Sequence, residues 1–271
     1  MKKSIFYDHI LTAARQERAS VEEMIAYVAS LGYVGADVIW SDRERLLEIY
    51  RFLKAADMKI TSVCLFCDLN DTLDYEGFVA FFECLRECGC QNAMMIPQAL
   101  VKDKDTGFAA VCGALNEICG IAADYDVRVS VEDFDSADAI VGSGASVEKI
   151  LCAVPSLFHT FDTGNYAYFN ESEIEMYERF KHRIVHVHLK DRAKSPLLPN
   201  EKATIMIDGS LVYPCPVGKG FIQIEECLKR LYAFGYTGYV SVEHFDVGDM
   251  KKAIRESSEF IDGILRAEEN N

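Results

Sequence analysis

The chain has 271 residues, half of them hydrophobic, which suffices for one large core and sits within the usual size of a single α/β barrel. Lys and Arg number 28 against 43 Asp and Glu, a net charge of −15 that opposes nucleic acid and anionic membrane as partners. No stretch approaches the roughly 18 apolar residues of a membrane span, and the two lysines of MKKSIFYDHI are not followed by a long apolar run, so the reading is a cytoplasmic protein.

Taken in order, short apolar strands alternate with amphipathic helices. Ile5–Tyr7 reads as the first strand. Ser20 and Glu23 form a capping box for a helix that stops at Gly32. Ala36–Trp40 is the second strand, followed by a helix from Ser41 through Ala56. Lys59–Phe66 is the third strand, and Glu76–Cys88 is helical up to Gly89. Asn92–Ile96 is the fourth strand, ended by Pro97, and Gly107–Tyr125 is helical. Val127–Glu132, Leu157–Asp162, Ile184–Leu189 and Tyr239–Glu243 complete eight strands. Helices at Ser146–Cys152, Glu171–Phe180, Glu225–Phe234 and Asp249–Arg266 fill the second half. Strand–helix alternation implies parallel strands with right-handed crossovers. Eight units of about thirty residues fit a single-domain (β/α)8 TIM barrel over 1–271 better than an open sheet. No Gly-x-Gly-x-x-Gly turn follows the first strand, which removes the usual dinucleotide signal. The connection after His188 is long and carries Pro196, Pro199, Pro214 and Pro216; in a barrel it would rise from the C-terminal face, where active sites lie.

The ten cysteines are scattered and read as reduced thiols. Cys64-x-x-Cys67 allows a zinc or redox reading, but Cys84 and Cys88 share helical spacing within an apolar pattern and read as small buried hydrophobes.

Four strands of the second half end on metal-ligating side chains: Glu132, Asp162, His188 and Glu243. In Val129-Ser130-Val131-Glu132 and in Val240-Ser241-Val242-Glu243 the valines share one face and the polar residues the other. In Val185-His186-Val187-His188-Leu189-Lys190 three apolar residues oppose His186, His188 and Lys190. Apolar faces should pack on outer helices and polar faces point into the barrel. Three carboxylates buried together repel strongly unless a cation compensates them. Three carboxylates with one imidazole form a hard, oxygen-rich set, suited to Mn2+, Mg2+ or Co2+ more than to a structural zinc site.

The runs FDTGN (161–165), HVHLKD (186–191), VGKGFI (217–222) and GYTGYVSVEHF (235–245), with GYVGADV (32–38), resemble the sugar phosphate isomerase/epimerase superfamily with its xylose isomerase-like barrel. That superfamily includes ketose 3-epimerases, hydroxypyruvate isomerases, inosose dehydratases and endonuclease IV. The resemblance implies Glu132, Asp162, His188 and Glu243 as ligands of one divalent metal, Mn2+ first among Mn2+, Mg2+, Co2+ and Zn2+. It also implies Glu132 and Glu243 as the catalytic acid and base in an enediolate proton transfer on a small sugar or hydroxy-ketone. The chain departs from the pattern at Asp37 for Glu, Asn165 for His, Lys219 for Glu and Lys194 for Arg, which leaves the metal set intact and the substrate open.

Asn165, His186, Lys190 and Lys194 are the expected substrate-side residues. Plainer roles stand beside them: a turn cap for Asn165, a buried hydrogen-bonded group for His186, a carboxylate partner for Lys190. Phe66 and Trp40 stand near strand ends where they would wall a pocket or pack in the core. The competing functions are an inosose-type dehydratase on the same site and a non-catalytic sugar-binding barrel. Six histidines and the acidic charge argue against a multi-metal endonuclease. The expected partner is a small carbohydrate, with no nucleic acid or membrane, and a homo-oligomer stays open.

Overall fold

A computed structural model describes residues 1–69, 73–98, 104–199 and 201–270. The first half runs β1 (Lys2–Phe6), α1 (Tyr7–Glu17), α2 (Val21–Ser30), β2 (Gly35–Ile39), α3 (Arg43–Ala55), β3 (Lys59–Asp68), α4 (Tyr75–Cys88), β4 (Asn92–Gln98) and α5 (Lys104–Ala123). The second half runs β5 (Arg128–Glu132), α6 (Gly144–Ala153), β6 (Phe158–Asp162), α7 (Glu173–Phe180), β7 (Ile184–Leu189), β8 (Arg192–Ala193), β9 (Thr204–Ile205), β10 (Leu211–Pro214), α8 (Ile224–Ala233), β11 (Tyr239–Val242) and α9 (Met250–Glu269). Strands β1–β7 and β11 pair in parallel and close into a barrel, with β11 returning to β1. The expected eight-stranded α/β barrel is therefore the fold.

Strand alternation sorts the core into two regions. Val129, Val131, Val187, Val240 and Val242 face outward into one large apolar layer under the helices. The interior is polar where many barrels hold branched aliphatics. Asn92 Nδ2 donates to Ser62 Oγ at 2.9 Å, Ser130 Oγ donates to Asn92 Oδ1 at 3.3 Å, and Ser130 and Thr160 hydroxyls meet at 2.8 Å. A smaller interior apolar group, Phe6, Cys64, Met94 and Ile96, sits beside this ladder.

Two irregularities set the phase of the site. Ala36 pairs with Ile60 and Asp37 with Ser62, so β3 carries one extra residue, Thr61. His159 pairs with Ile184 and Thr160 with His186, so β7 carries one extra residue, Val185. A bulge re-aims the side chains beyond it, and past these two Asp37, His186 and His188 converge.

Caps explain most helix starts. Ser20 and Glu23 make the expected capping box on α2, and Gly32 follows with φ of 84°. Asp42, one residue after the expected Ser41, caps α3; Ser143 caps α6, Ser172 caps α7 and Asp249 caps α9. Three expectations need correction. Helix α1 leaves β1 directly, with no side-chain cap at Phe6 to mark it. Strand β4 continues through Pro97, because beyond Met95 it pairs with β3 alone and a missing N–H breaks no second ladder. The long connection contains a small antiparallel sheet, β8–β10–β9.

Cys64 lies inside the barrel and Cys67 in the outer layer, since residues three apart on a strand face opposite ways. That spacing therefore chelates nothing here. All cysteines are free, and all but Cys152 are buried. Among the described residues no helix is long and apolar enough to cross a membrane.

His159 is fully buried on β6; its Nδ1 faces Val131 O at 3.0 Å and its Nε2 faces the Tyr166 hydroxyl at 3.0 Å. Nδ1–H donates to the carbonyl and Nε2 accepts, so the ring is neutral. Burial pushes its pKa down from 6.5 to about 4. The unfolded chain takes up this proton first as pH falls from 6.5 towards 4, so stability is full above 6.5 and is lost through that window. The expected size is about 3 kcal/mol, from 1.36 kcal/mol per pKa unit. His159→Gln, which cannot titrate, should lose stability at pH 7.5, and its deficit should shrink by about that amount by pH 4. Denaturant melts of both proteins check this; a deficit that does not change with pH would refute it.

Candidate metal centre

Glu132 closes β5, Asp162 closes β6, His188 lies in β7, and Glu243 follows the last residue of β11. Because these strands are adjacent in the order β5–β6–β7–β11, the four side chains meet at one end of the barrel. One ligand atom from each lies within 4.8 Å of the others. Asp162 and His188 are fully buried, and Glu132 and Glu243 are each 6% exposed. His188 Nδ1 lies 2.5 Å from Glu132 Oε1 and 3.2 Å from Glu243 Oε2.

Asp162 is held by its own turn. Its Oδ1 accepts from the Gly164 and Asn165 amides, both at 2.7 Å. The turn needs glycine at 164, where a Cβ would lie 2.6 Å from Lys190 O. The second carboxylate oxygen, Oδ2, is buried with no hydrogen-bond partner. An unpartnered carboxylate oxygen facing two more carboxylates and an imidazole is costly in a dry site. A divalent cation would satisfy it, so the residues present fit a metal.

Burial raises the pKa of Asp162 and of Glu132. Burial acts the same way on Glu243, but the charges of Lys190 and His188 outweigh it and hold Glu243 below the usual range. Burial also works against protonated His188, yet the carboxylates of Glu132, Asp37 and Glu243 prevail and raise it. Next to this set Asp133 is fully buried; burial and the charges of Asp162 and Glu132 raise it well above the ordinary value.

The expected substrate-side residues divide. Lys190 Nζ lies 2.7 Å from Glu243 Oε1 and donates to Asn165 Oδ1 at 2.9 Å; it lines a cavity of about 380 Å3 above the cluster. Asn165 is buried, and its Nδ2 donates to Asp133 O at 2.7 Å, so it holds Lys190 in place. His186 lies beneath the cluster, with Nε2 2.7 Å from Asp37 Oδ2. Lys194 is exposed, with Nζ 5.3 Å from the centre of the Phe221 ring, and is not among the cavity residues. Phe66 lines the cavity, whereas Trp40 packs edge-on against Phe81.

Two important residues have contacts that no local pattern in the sequence marks. Asp37 Oδ2 lies 3.2 Å from His188 Nε2, and Asp37 Oδ1 accepts from Thr61 Oγ1 at 2.5 Å. It therefore holds His186 and lies behind His188, where a carboxylate backs a ligating histidine. Arg192 is buried at the cavity wall, where Nε donates to Gly164 O at 3.0 Å and one terminal nitrogen pairs with Asp135. A lone acid on a short strand, and an Arg after a Lys-Asp pair, give no local sign of partners so far away in sequence.

Among curated proteins, the inosose dehydratase of Clostridium beijerinckii is 23% identical over 251 residues, covering 82% of this chain and 81% of that protein. The inosose dehydratase of one Clostridium botulinum strain is 26% identical over 140 residues, 49% of this chain. That match spans only 45% of the botulinum protein's length. Among solved structures, the probable 3-DHS dehydratase AsbF of Bacillus anthracis superposes with a TM-score of 0.75 at 14% identity, covering 97% of this chain and 99% of that one. An L-ribulose 3-epimerase gives 0.73 at 13% identity, with coverage of 100% and 96%. The IOLI protein, solved with a bound zinc atom, gives 0.71 at 17% identity, with coverage of 99% and 98%. At these identities the structural likeness concerns the fold. The pattern of the xylose isomerase-like TIM barrel matches residues 25–264, and with the closed barrel described above this chain belongs to that family.

Proposed function

We propose that this protein is a divalent-metal-dependent isomerase or epimerase acting on a small sugar or hydroxy-ketone. The observation that carries this is the convergence of Glu132, Asp162, His188 and Glu243, with Asp162 Oδ2 left unpartnered. These four residues would hold the metal, and the oxygen-rich set favours Mn2+. When bound, the cation supplies Lewis-acid stabilisation of negative charge developing on substrate oxygen.

Proton movement falls to the two glutamates, which flank Asp162 and His188 in the strand order. Glu243, kept ionised by Lys190 at 2.7 Å, suits the base that takes a proton from carbon next to the carbonyl. Glu132, at the other end of the four-strand run, is then the acid that delivers one. Delivery to the opposite face of the same carbon inverts it; delivery to the neighbouring carbon interconverts ketose and aldose. Lys190 restrains Glu243, and Asn165 restrains Lys190. The cavity lies above this set, with Phe66, Phe134 and Phe245 as apolar wall against the sugar's carbon faces.

The inosose dehydratase relatives favour a second reading on the same residues. Glu243 again takes the proton, and Glu132 then protonates a hydroxyl on the adjacent carbon, which leaves as water with a C=C bond formed. One experiment tests both. The protein loaded with Mn2+ is incubated in deuterated water with ketoses, inososes and hydroxypyruvate. Proton–deuterium exchange with an epimer or aldose product supports the first reading, and loss of water by mass supports the second. No exchange in any case, with metal bound at one per chain, would refute both and leave a non-catalytic binding barrel.

A further inference from the structure

We propose that the substrate carries a carboxylate, received at the cavity rim by Lys202 and the open edge of Arg192. This rests on the hydroxy-ketone reading above and names the substrate class. The long connection after β7 folds over the barrel mouth and brings Lys202 and Thr204 to the cavity wall opposite no described carboxylate partner of Lys202. Lys202 is exposed and makes no ion pair among the described residues. Arg192 is clamped on one side by Gly164 O, Asp135 and Asn165 Oδ1. Its other terminal nitrogen has no acceptor among the described residues, while the residue lines the cavity. A guanidinium held along one edge and an ammonium without an ion pair among the described residues, both lining one cavity, suit a planar carboxylate.

Of the other lining acids, none makes an ion pair with Lys202 among the described residues. Asp135 lies between Arg192 and Lys190, Glu243 belongs to the metal cluster, and Asp246 sits in the turn beyond β11. Asp191 decides between carboxylate and phosphate. Barrels of this kind often take phosphate on the loops after the seventh and eighth strands, at a helix N-terminus. Here the amides of Gly218, Gly220 and Ile222, in the loop leading to α8, donate to Asp191 at 2.9, 2.8 and 3.3 Å. A Cβ at residue 220 would lie 2.1 Å from Asp191 Oδ1, so glycine lets this carboxylate in. The chain's own acid fills the backbone cradle that a phosphate would need.

The test uses the full chain loaded with Mn2+ and two matched sets: D-fructose, D-fructuronate and D-fructose 6-phosphate, and the corresponding tagatose compounds. Calorimetry gives affinities, and deuterium exchange is read on the same samples. The uronates should bind about tenfold tighter than the neutral ketoses, with the preference falling with salt. Lys202→Met should reduce that preference to about twofold, and Lys202→Arg should restore it. Equal affinity for neutral and acidic ketoses, a preference for the 6-phosphates, or an unchanged preference in Lys202→Met would each overturn the proposal. Preference for uronates without exchange supports the anion site and overturns the enediolate reading. Exchange without that preference does the reverse.

Discussion

Glu243→Gln should reduce deuterium exchange into substrate by about three orders of magnitude, the scale of a positioned general base, while the barrel stays folded. The amide keeps the volume and one oxygen but cannot accept a proton from carbon. It also alters the neighbours in a readable way. Lys190 Nζ loses the charge 2.7 Å away and keeps Asn165 Oδ1 and the more distant Asp135, so the lysine should remain in place. His188 keeps Glu132 at 2.5 Å. Circular dichroism should therefore show an intact fold. Metal affinity separates the two roles of the residue: Mn2+ supplied at concentrations that saturate the variant should not recover exchange. If exchange returned to wild-type rates on saturation, Glu243 would be a ligand only and the base would lie elsewhere. The matching variant Glu132→Gln should keep the first deuteration step more than the product-forming one, because Glu132 is assigned the delivery of the proton.

The sequence showed as much of this site as strand alternation can show. Val129, Val131, Val240 and Val242 face outward as their period-two pattern required, and that alone sent Glu132 and Glu243 inward. Asp162 was legible from its place at the end of a strand and from the FDTGN run that resembles the family. What stayed hidden has physical causes. Asp37 and His188 are 151 positions apart, and their contact depends on bulges at Thr61 and Val185 that shift the alternation by one. A bulge in a parallel ladder leaves no turn residue in the sequence. Helix α1 carries no start signal because Phe6 offers no capping side chain, and it follows β1 with no loop between them. The small sheet after β7 includes two strands of two residues each, too short for any alternation to register, and the connection that carries it brings Lys202 and Thr204 to the cavity. Local pattern reached the strands; the wall of the site depended on contacts that only the closed barrel makes.

Asp162→Asn should change stability in opposite directions with and without metal. In the metal-free protein Asp162 Oδ2 has no partner and faces Glu132 and Glu243. Burial raises its pKa, which means the ionised form destabilises the fold at neutral pH, and that penalty eases as pH falls. Asparagine keeps an oxygen for the amides of Gly164 and Asn165 and places an N–H donor where the unpartnered oxygen was. The metal-free variant should be more stable than wild type by about 1–2 kcal/mol, within the cost of one buried unsatisfied polar group. Loaded protein should rank the other way. Wild type at a thousandfold excess of Mn2+ over its Kd gains about 4 kcal/mol. For a chain of this size that is a melting-temperature rise of roughly 10 °C. The variant, with a ligand oxygen lost, should bind at least about a hundredfold more weakly, beyond what loss of an outer-sphere partner alone does. Thermal melts of both proteins in chelator and in Mn2+ give all four values. The two curves should cross; an Asp162→Asn protein less stable than wild type in chelator as well would make Asp162 an ordinary turn residue and remove the strongest structural reason for placing a metal here.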